Sequence, residues 1–238
     1  MSPLPISDVN LKKTIIFDTN AYRVLTFGLS LEDARNKALY LRQLEHRSGH
    51  SALAHPIVVW ELLAHLVDLS DPAYNHCLKG LVALGEHTTS RENPNGGICL
   101  IADALSTVCQ ELFGHLPPGY QQGLENLGSL VTHIVKHAPD LADPVVRQHI
   151  ENLGRGMETK EAGWLKGMAS VLDHFSPGVA KVVFGHGNDG EALRKARAFF
   201  ASPAFFEEWS NYIVASHAVE VGITTLPPDE LQAKARIV

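Results

Sequence analysis

The sequence has little cysteine, no long apolar run and no excess of positive charge, and each absence excludes a class of protein. Its three cysteines, Cys77, Cys99 and Cys109, are an odd number, widely spaced and without a CxxC pair. They read as buried reduced thiols, not as a disulfide framework or a zinc ribbon. No stretch approaches the roughly 18–20 uninterrupted apolar residues of a membrane span, and the opening MSPLPISDVNLKKT lacks the apolar centre of a secretory signal. These absences predict a protein of the cytoplasm with no membrane partner. With 26 Asp and Glu against 20 Lys and Arg, the formal net charge is −6. Nucleic acid is therefore not held by overall charge alone, although a local basic groove stays open. The 13 histidines are scattered from His46 to His217 without an HExxH pair. No internal repeat or low-complexity tract is present.

What is there is the composition of an ordinary globular protein, 238 residues with 45% hydrophobic and 19% charged side chains. Thr14-Ile15-Ile16-Phe17 is a β-branched run that stops at the polar Asp18-Thr19-Asn20, the pattern of a buried strand. Ser30, with Asp33 three residues on, opens a predicted helix to about His46, along which Leu31, Ala34, Ala38, Leu41 and Leu44 recur at helical spacing. Pro56-Ile57-Val58-Val59 predicts a second strand, followed at once by a helical pattern from Trp60 to Leu66. From about Asp71 to His174 the β signal is absent. Helices are predicted there near 72–86, 97–113, 120–138, 143–155 and 159–175, with Gly and Pro between them. A strand at Val179–Phe184, helices at 190–200 and 205–221 and a terminal strand at Ile223–Leu226 complete the chain. The reading is an α/β fold in which a small parallel sheet is flanked by helices. It is one domain spanning 1–238, with 71–178 as a helix-rich insertion.

In an open parallel sheet, residues just past the carboxyl ends of different strands meet in one crevice. Asp18, Glu61 and Asp229 each follow a predicted strand within three residues. Three carboxylates brought together share protons or bind a cation, and hard oxygen ligands suit Mg²⁺ or Mn²⁺. Each residue also has a plainer reading. Asp18, with Thr19 and Asn20, fits a helix cap; Glu61 fits a first-turn carboxylate facing the helix dipole; Asp229 fits a solvated turn; Asn211 fits an N-cap or a surface amide.

The segment Ile15-Ile16-Phe17-Asp18-Thr19-Asn20-Ala21-Tyr22 resembles the opening of a PIN-domain nuclease, where a strand ends in Asp-x-Asn or Asp-x-Ser. Pro56-Ile57-Val58-Val59-Trp60-Glu61-Leu62-Leu63 resembles that family's second acidic motif. The stretch from Asn211 to Leu226 resembles the third motif and the strand after it, and Asp229 falls where a fourth acidic residue is usual. The resemblance covers about residues 12–69 and 205–231. It departs from the family at Asn211, where the pattern has a metal-binding Asp; Glu207 and Glu208 are the carboxylates placed to compensate. The resemblance implies hydrolysis of phosphodiester bonds, with RNA, commonly single-stranded, as substrate. It further implies Mg²⁺ or Mn²⁺ held by Asp18, Glu61 and Asp229, with Asn211 as a weaker ligand and Asn20 and Thr19 orienting ligands or water. Several members of the family are toxins restrained by a partner protein, so a neutralising partner is part of the same expectation. The alternative is a catalytically degenerate PIN-like module that binds RNA or protein. The helical middle is open to three roles: a lid, a homodimer interface or an RNA guide.

Three further patterns stand out in the sequence. Gly185-His186-Gly187-Asn188-Asp189-Gly190 after Val182-Val183-Phe184 spells a dinucleotide fingerprint, yet Asp189 and Glu191 crowd negative charge where a pyrophosphate would lie. A glycine-rich loop capped by Asp189 is the preferred reading. Arg194, Lys195 and Arg197, followed by Phe199-Phe200, could hold a nucleic-acid backbone and stack a base, or form the solvated face and the core face of one amphipathic helix. A haloacid dehalogenase-type phosphatase needs a second Asp where Asn20 stands.

Overall fold

The computed structural model describes residues 13–89, 97–101, 104–141, 143–175, 178–185 and 190–237. The chain runs β1 (Lys13–Ile15), α1 (Thr19–Leu25), α2 (Leu31–Arg47), β2 (His50–Ala52), α3 (Pro56–Ala64), α4 (Tyr74–Thr88), α5 (Ala104–Phe113) and α6 (Tyr120–His137). It continues through α7 (Pro144–Phe175), α8 (Val179–Phe184), α9 (Gly190–Phe200), α10 (Pro203–Glu220) and α11 (Pro228–Ala235). The fold is mostly helical, with one small parallel sheet among the described residues. Two compact units divide it, one of Met1–Asp103 with Gln121–Met157 and one of Ala104–Tyr120 with Glu158–Val238.

In the first unit β1 and β2 pair in parallel, Lys13 opposite His50 and Ile15 opposite Ala52. The ladder continues as Leu53 N–H donates to the Ile15 carbonyl at 3.0 Å. Ala54 then exchanges bonds with the next segment: its N–H donates to the Cys99 carbonyl at 2.8 Å, and its carbonyl accepts from Ile101 N–H at 3.0 Å. The core is built around α4, whose residues Cys77, Leu78, Gly80 to Gly85, His87 and Thr88 are all buried. A helix buried over most of its surface must be enclosed by others. Val58, Val59, Leu62 and Leu63 of α3 and Leu127, Val131, Ile134 and Val135 of α6 supply apolar side chains to the same core.

Several elements differ from the sequence expectation. Pro56–Val59 is the first turn of α3, not a strand: proline at the first helical position needs no N–H donor there, and His55 Nδ1 accepts from Ile57 N–H at 3.2 Å as the cap. The spacing Val58, Val59, Leu62, Leu63, Leu66 is a helical face, and its burial overrides the β propensity of Ile-Val-Val. The second strand of the sheet is instead His50–Ala52, which carries no β-branched residue. Helices 143–155 and 159–175 are one continuous helix, α7.

In the second unit Val179–Phe184 is helix α8, not a strand. Gly178 at φ 87° turns the chain, and Asp173 Oδ1 accepts from the N–H groups of both Gly178 and Ala180 at 3.1 Å, satisfying donors at the new helix start. α10 opens with Ser202 accepting from Phe205 N–H at 3.3 Å. It ends in a Schellman motif at Gly222 (φ 87°), where Ile223 N–H donates to the Ala218 carbonyl at 2.8 Å and Gly222 N–H to that of Val219 at 3.0 Å. Ile223–Leu226 is therefore the exit from a helix cap, and no terminal strand forms there. A core of Leu172, Val179, Ala180 and Ala196, with Phe199 and Phe200 against it, holds α7, α8 and α9 together.

Candidate functional site

The polar residues that end β1 lie at the start of α1. Asp18 is the N-cap of that helix, extended at φ −79° and ψ 173°, and its Oδ1 accepts from Ala21 N–H at 2.6 Å. The cap reading of Asp18 is therefore realised. The next residue reaches across the sequence: Thr19 Oγ1 donates to Glu61 Oε2 on α3, 42 positions away. This bond joins the two acidic motifs. Asp18, Asn20 and Glu61 are exposed, and among the described residues Asp18 Oδ2 and Glu61 Oε1 accept no hydrogen bond. Each of these two exposed carboxylates thus keeps one oxygen without a hydrogen bond.

Glu61 does not open a helix after a strand; it is the sixth residue of α3. The dipole effect fades within the first turn, so that role does not account for it. Asp229 likewise follows no strand. It is exposed in the first turn of α11 beside Glu230, where both carboxylates complement the helix dipole. Asn211 lies inside α10 and is half-buried; its Oδ1 has no hydrogen-bond partner among the described residues. The N-cap of that helix is Ser202, so the cap reading of Asn211 falls. Asp229, Asn211, Glu207 and Glu208 belong to the second unit, and Asp18 and Glu61 to the first. Among the described residues no three His, Cys, Asp or Glu side chains form a group able to hold a metal ion.

Arg194, Lys195 and Arg197 are exposed on α9, and Lys195 pairs with Glu191 at 3.1 Å. Ala196, Phe199 and Phe200 take the opposite role, packing into the second core. Of the glycine-rich segment, residues 186–189 lie outside the described residues, Asp189 among them. The helix that precedes it removes the strand a dinucleotide fingerprint requires.

Beneath the Asp18–Thr19 turn lies a buried polar chain that the sequence reading missed. Tyr22 OH and His87 Nδ1 are 2.9 Å apart, and His87 Nε2 and Glu45 Oε2 are 2.6 Å apart. The Phe17 ring lies against the imidazole, centroids 4.9 Å apart. Tyr22 and His87 are each 1% exposed and Glu45 9%. A carboxylate only accepts, so it fixes the hydrogen on Nε2; Nδ1 then accepts from the Tyr22 hydroxyl. Burial pushes the His87 pKa below 6.5, opposed by the hydrogen bond and charge of Glu45. Burial, with the Glu45 charge adding to it, drives that of Tyr22 well above the usual phenol range. A signal was present in the sequence: Glu45 continues the stripe Ala34, Ala38, Leu41 where an apolar residue is due, and His87 ends the run Leu81-Val82-Ala83-Leu84-Gly85. No family model, curated protein or solved structure matches the chain.

Proposed function

We propose that the first unit carries a divalent-cation site on Asp18 and Glu61 and hydrolyses phosphodiester bonds of RNA, as the PIN-like reading of the same residues implies. One observation carries this reading: the Thr19 hydroxyl ties Glu61 to the residue beside Asp18, so the two motifs share one exposed patch although they are 42 residues apart. The donor set suits Mg²⁺ or Mn²⁺. Such an ion keeps several waters and takes one or two protein carboxylates plus phosphate oxygens, so two carboxylates suffice. When bound, it offsets phosphate charge and lowers the pKa of a coordinated water.

The chain's own residues do the rest. Asp18 Oδ2 and Glu61 Oε1 offer the ligand oxygens, since Oδ1 is engaged by Ala21 and Oε2 by Thr19. Those engagements hold each carboxylate in one orientation, which is what a second layer of hydrogen bonds supplies to a metal ligand. Asn20, exposed next to them, offers an amide to phosphate or water. In the second unit, Arg194 and Arg197 on α9 offer the cationic surface for an RNA backbone.

The test is cleavage of end-labelled single-stranded RNA with Mn²⁺ or Mg²⁺ by the wild type, Asp18→Asn and Glu61→Gln, with EDTA as control. Cleavage lost in both variants and in EDTA supports the reading. The lack of a third grouped carboxylate among the described residues favours a second reading, an RNA-binding module without catalysis. Retained RNA binding with no cleavage in any metal would establish that one instead.

A further inference from the structure

The buried chain is placed to control the exposed patch above it. α1 has seven residues, too few to be stable by itself. Tyr22 is its one fully buried side chain. It lies one turn past Asp18, its N–H donates to the Asp18 carbonyl at 3.3 Å, and Ala21 beside it holds the Asp18 carboxylate. The setting of Asp18 and Thr19 therefore depends on how Tyr22 is held, and its hydroxyl is held by His87.

His87 is a particular kind of partner. With hydrogen on Nε2 for Glu45, the atom left to take up a proton is Nδ1, the same atom that accepts the Tyr22 hydroxyl. A proton arriving there makes Nδ1 a donor to the Tyr22 oxygen, and the hydroxyl hydrogen must turn to find another acceptor inside a buried core. The groups that face His87 are Tyr22 from α1, Glu45 and Arg42 from α2 and the ring of Phe17. Glu45 favours the added proton, whereas Arg42 and burial oppose it, so the two states are in competition.

We propose that the Glu45–His87–Tyr22 chain is a proton-operated control on the Asp18–Glu61 pair: proton uptake by His87 reverses the Tyr22 bond and displaces the hydroxyl hydrogen, loosens the start of α1 and weakens capture of a divalent cation. This rests on the cation reading given above. Tyr22 and His87 are positioning residues, since neither offers a ligand atom.

The experiment has two arms on the full chain. In the first, Mn²⁺ affinity is measured by titration calorimetry at pH 7.5 and 5.5. The wild type is expected to bind about tenfold more weakly at the lower pH, the share that one buried hydrogen bond sets. Tyr22→Phe, which lacks the bond at either pH, is expected to bind weakly at both and to change less than about twofold between them. His87→Gln is the rescue. Its amide donates to Glu45 and accepts from Tyr22 without titrating, so binding should stay tight at both pH values.

The second arm needs no metal. The amide resonance of Ala21 is followed against pH by NMR together with the His87 ring. Ala21 is expected to move with the His87 midpoint in the wild type and to stop doing so in His87→Gln. An Ala21 amide indifferent to His87 overturns the proposal whatever Mn²⁺ does. A coupled Ala21 in a protein that binds no Mn²⁺ at either pH overturns the cation reading and upholds the proton coupling.

Discussion

Adding one methyl group at Gly85 is expected to destabilise the first unit even though alanine is the better helix former. Gly85 lies inside α4 with ordinary helical torsions, so the exchange to Ala alone gains about 1 kcal/mol of helix propensity. An ideal Cβ at that position, however, would fall well inside the van der Waals contact of Val135 Cγ2, with Val135 Cβ at 3.5 Å and Val131 Cγ1 at 3.6 Å. Carbon pairs are at their optimum near 3.5–4.0 Å, and the nearest atom belongs to a β-branched side chain with little rotamer freedom. Val131 and Ile134 beside it are fully buried, leaving no space to retreat into. Overpacking of this kind costs about 1–3 kcal/mol, which exceeds the propensity gain. Gly85→Ala should therefore lose about 1 kcal/mol net.

The double variant makes the reasoning sharp. Val135→Ala alone should cost about 2 kcal/mol for two lost methyl groups and the space they leave. In the Gly85→Ala background the same change relieves the collision, so the pair should fall short of the sum by about 1–2 kcal/mol. Urea denaturation followed by far-UV circular dichroism, compared at constant m, measures all four proteins. Gly85→Ala more stable than wild type by the full propensity gain, with additive behaviour in the double variant, would refute the account of a close approach between α4 and α6.

Three other outcomes follow from named contacts. Because burial holds the folded His87 pKa below its unfolded value of 6.5, the unfolded chain binds more protons in that window; the stabilisation is full above about pH 6.5 and is lost as pH falls through the folded pKa. The urea midpoint should therefore drop between pH 7.5 and 5.5, and a flat or rising midpoint counts against a buried neutral imidazole. Ser30→Ala, which removes the acceptor for Asp33 N–H at 3.1 Å, should cost about 1 kcal/mol in thermal or urea melts, with Ser30→Gly milder. Thr19→Val keeps the shape but removes the donor to Glu61; with Glu61 exposed, stability should change by less than about 1 kcal/mol. RNA cleavage in Mn²⁺ should nevertheless fall about tenfold or more if the hydroxyl orients the carboxylate.

Local signals in the sequence were read well where one residue type does one job. Ser30 and Asp33 marked the start of α2, and Pro117-Pro118-Gly119 separated α5 from α6; the helix expected from 97 instead starts at Ala104, because Ile98 and Leu100 bridge to Thr89 and Ala54. Pro56-Ile57-Val58-Val59 and Val179–Phe184 were misread because β-branched residues fit a strand as well as the buried face of a helix. The capping proline and His55, or the pair of amides held by Asp173, decided the matter. Asp18 and Glu61 were singled out together, and the Thr19 bond joins their neighbourhoods. The path to Glu61 differed, through a helix face instead of a strand end. The Glu45–His87–Tyr22 chain escaped because its members come from three helices, and sequence spacing carries no record of which helices touch.

The parallel pairing of β1 with β2 also bears on the order in which the first unit comes together. A hairpin closes between neighbours, but these strands are separated by all of α1 and α2, so their ladder closes a long loop, the kind of non-local contact that forms slowly. Among the described residues β1 has little to hold it besides that ladder, since Lys13 and Thr14 are exposed and Ile15 is half-buried. It belongs to the low-energy end of local opening, well below the enclosed α4. The turn bearing Asp18 is continuous with this lightly held element. Amide exchange at Leu53, whose hydrogen bond runs to Ile15, would time its opening against the slow amides of Leu81 and Leu84.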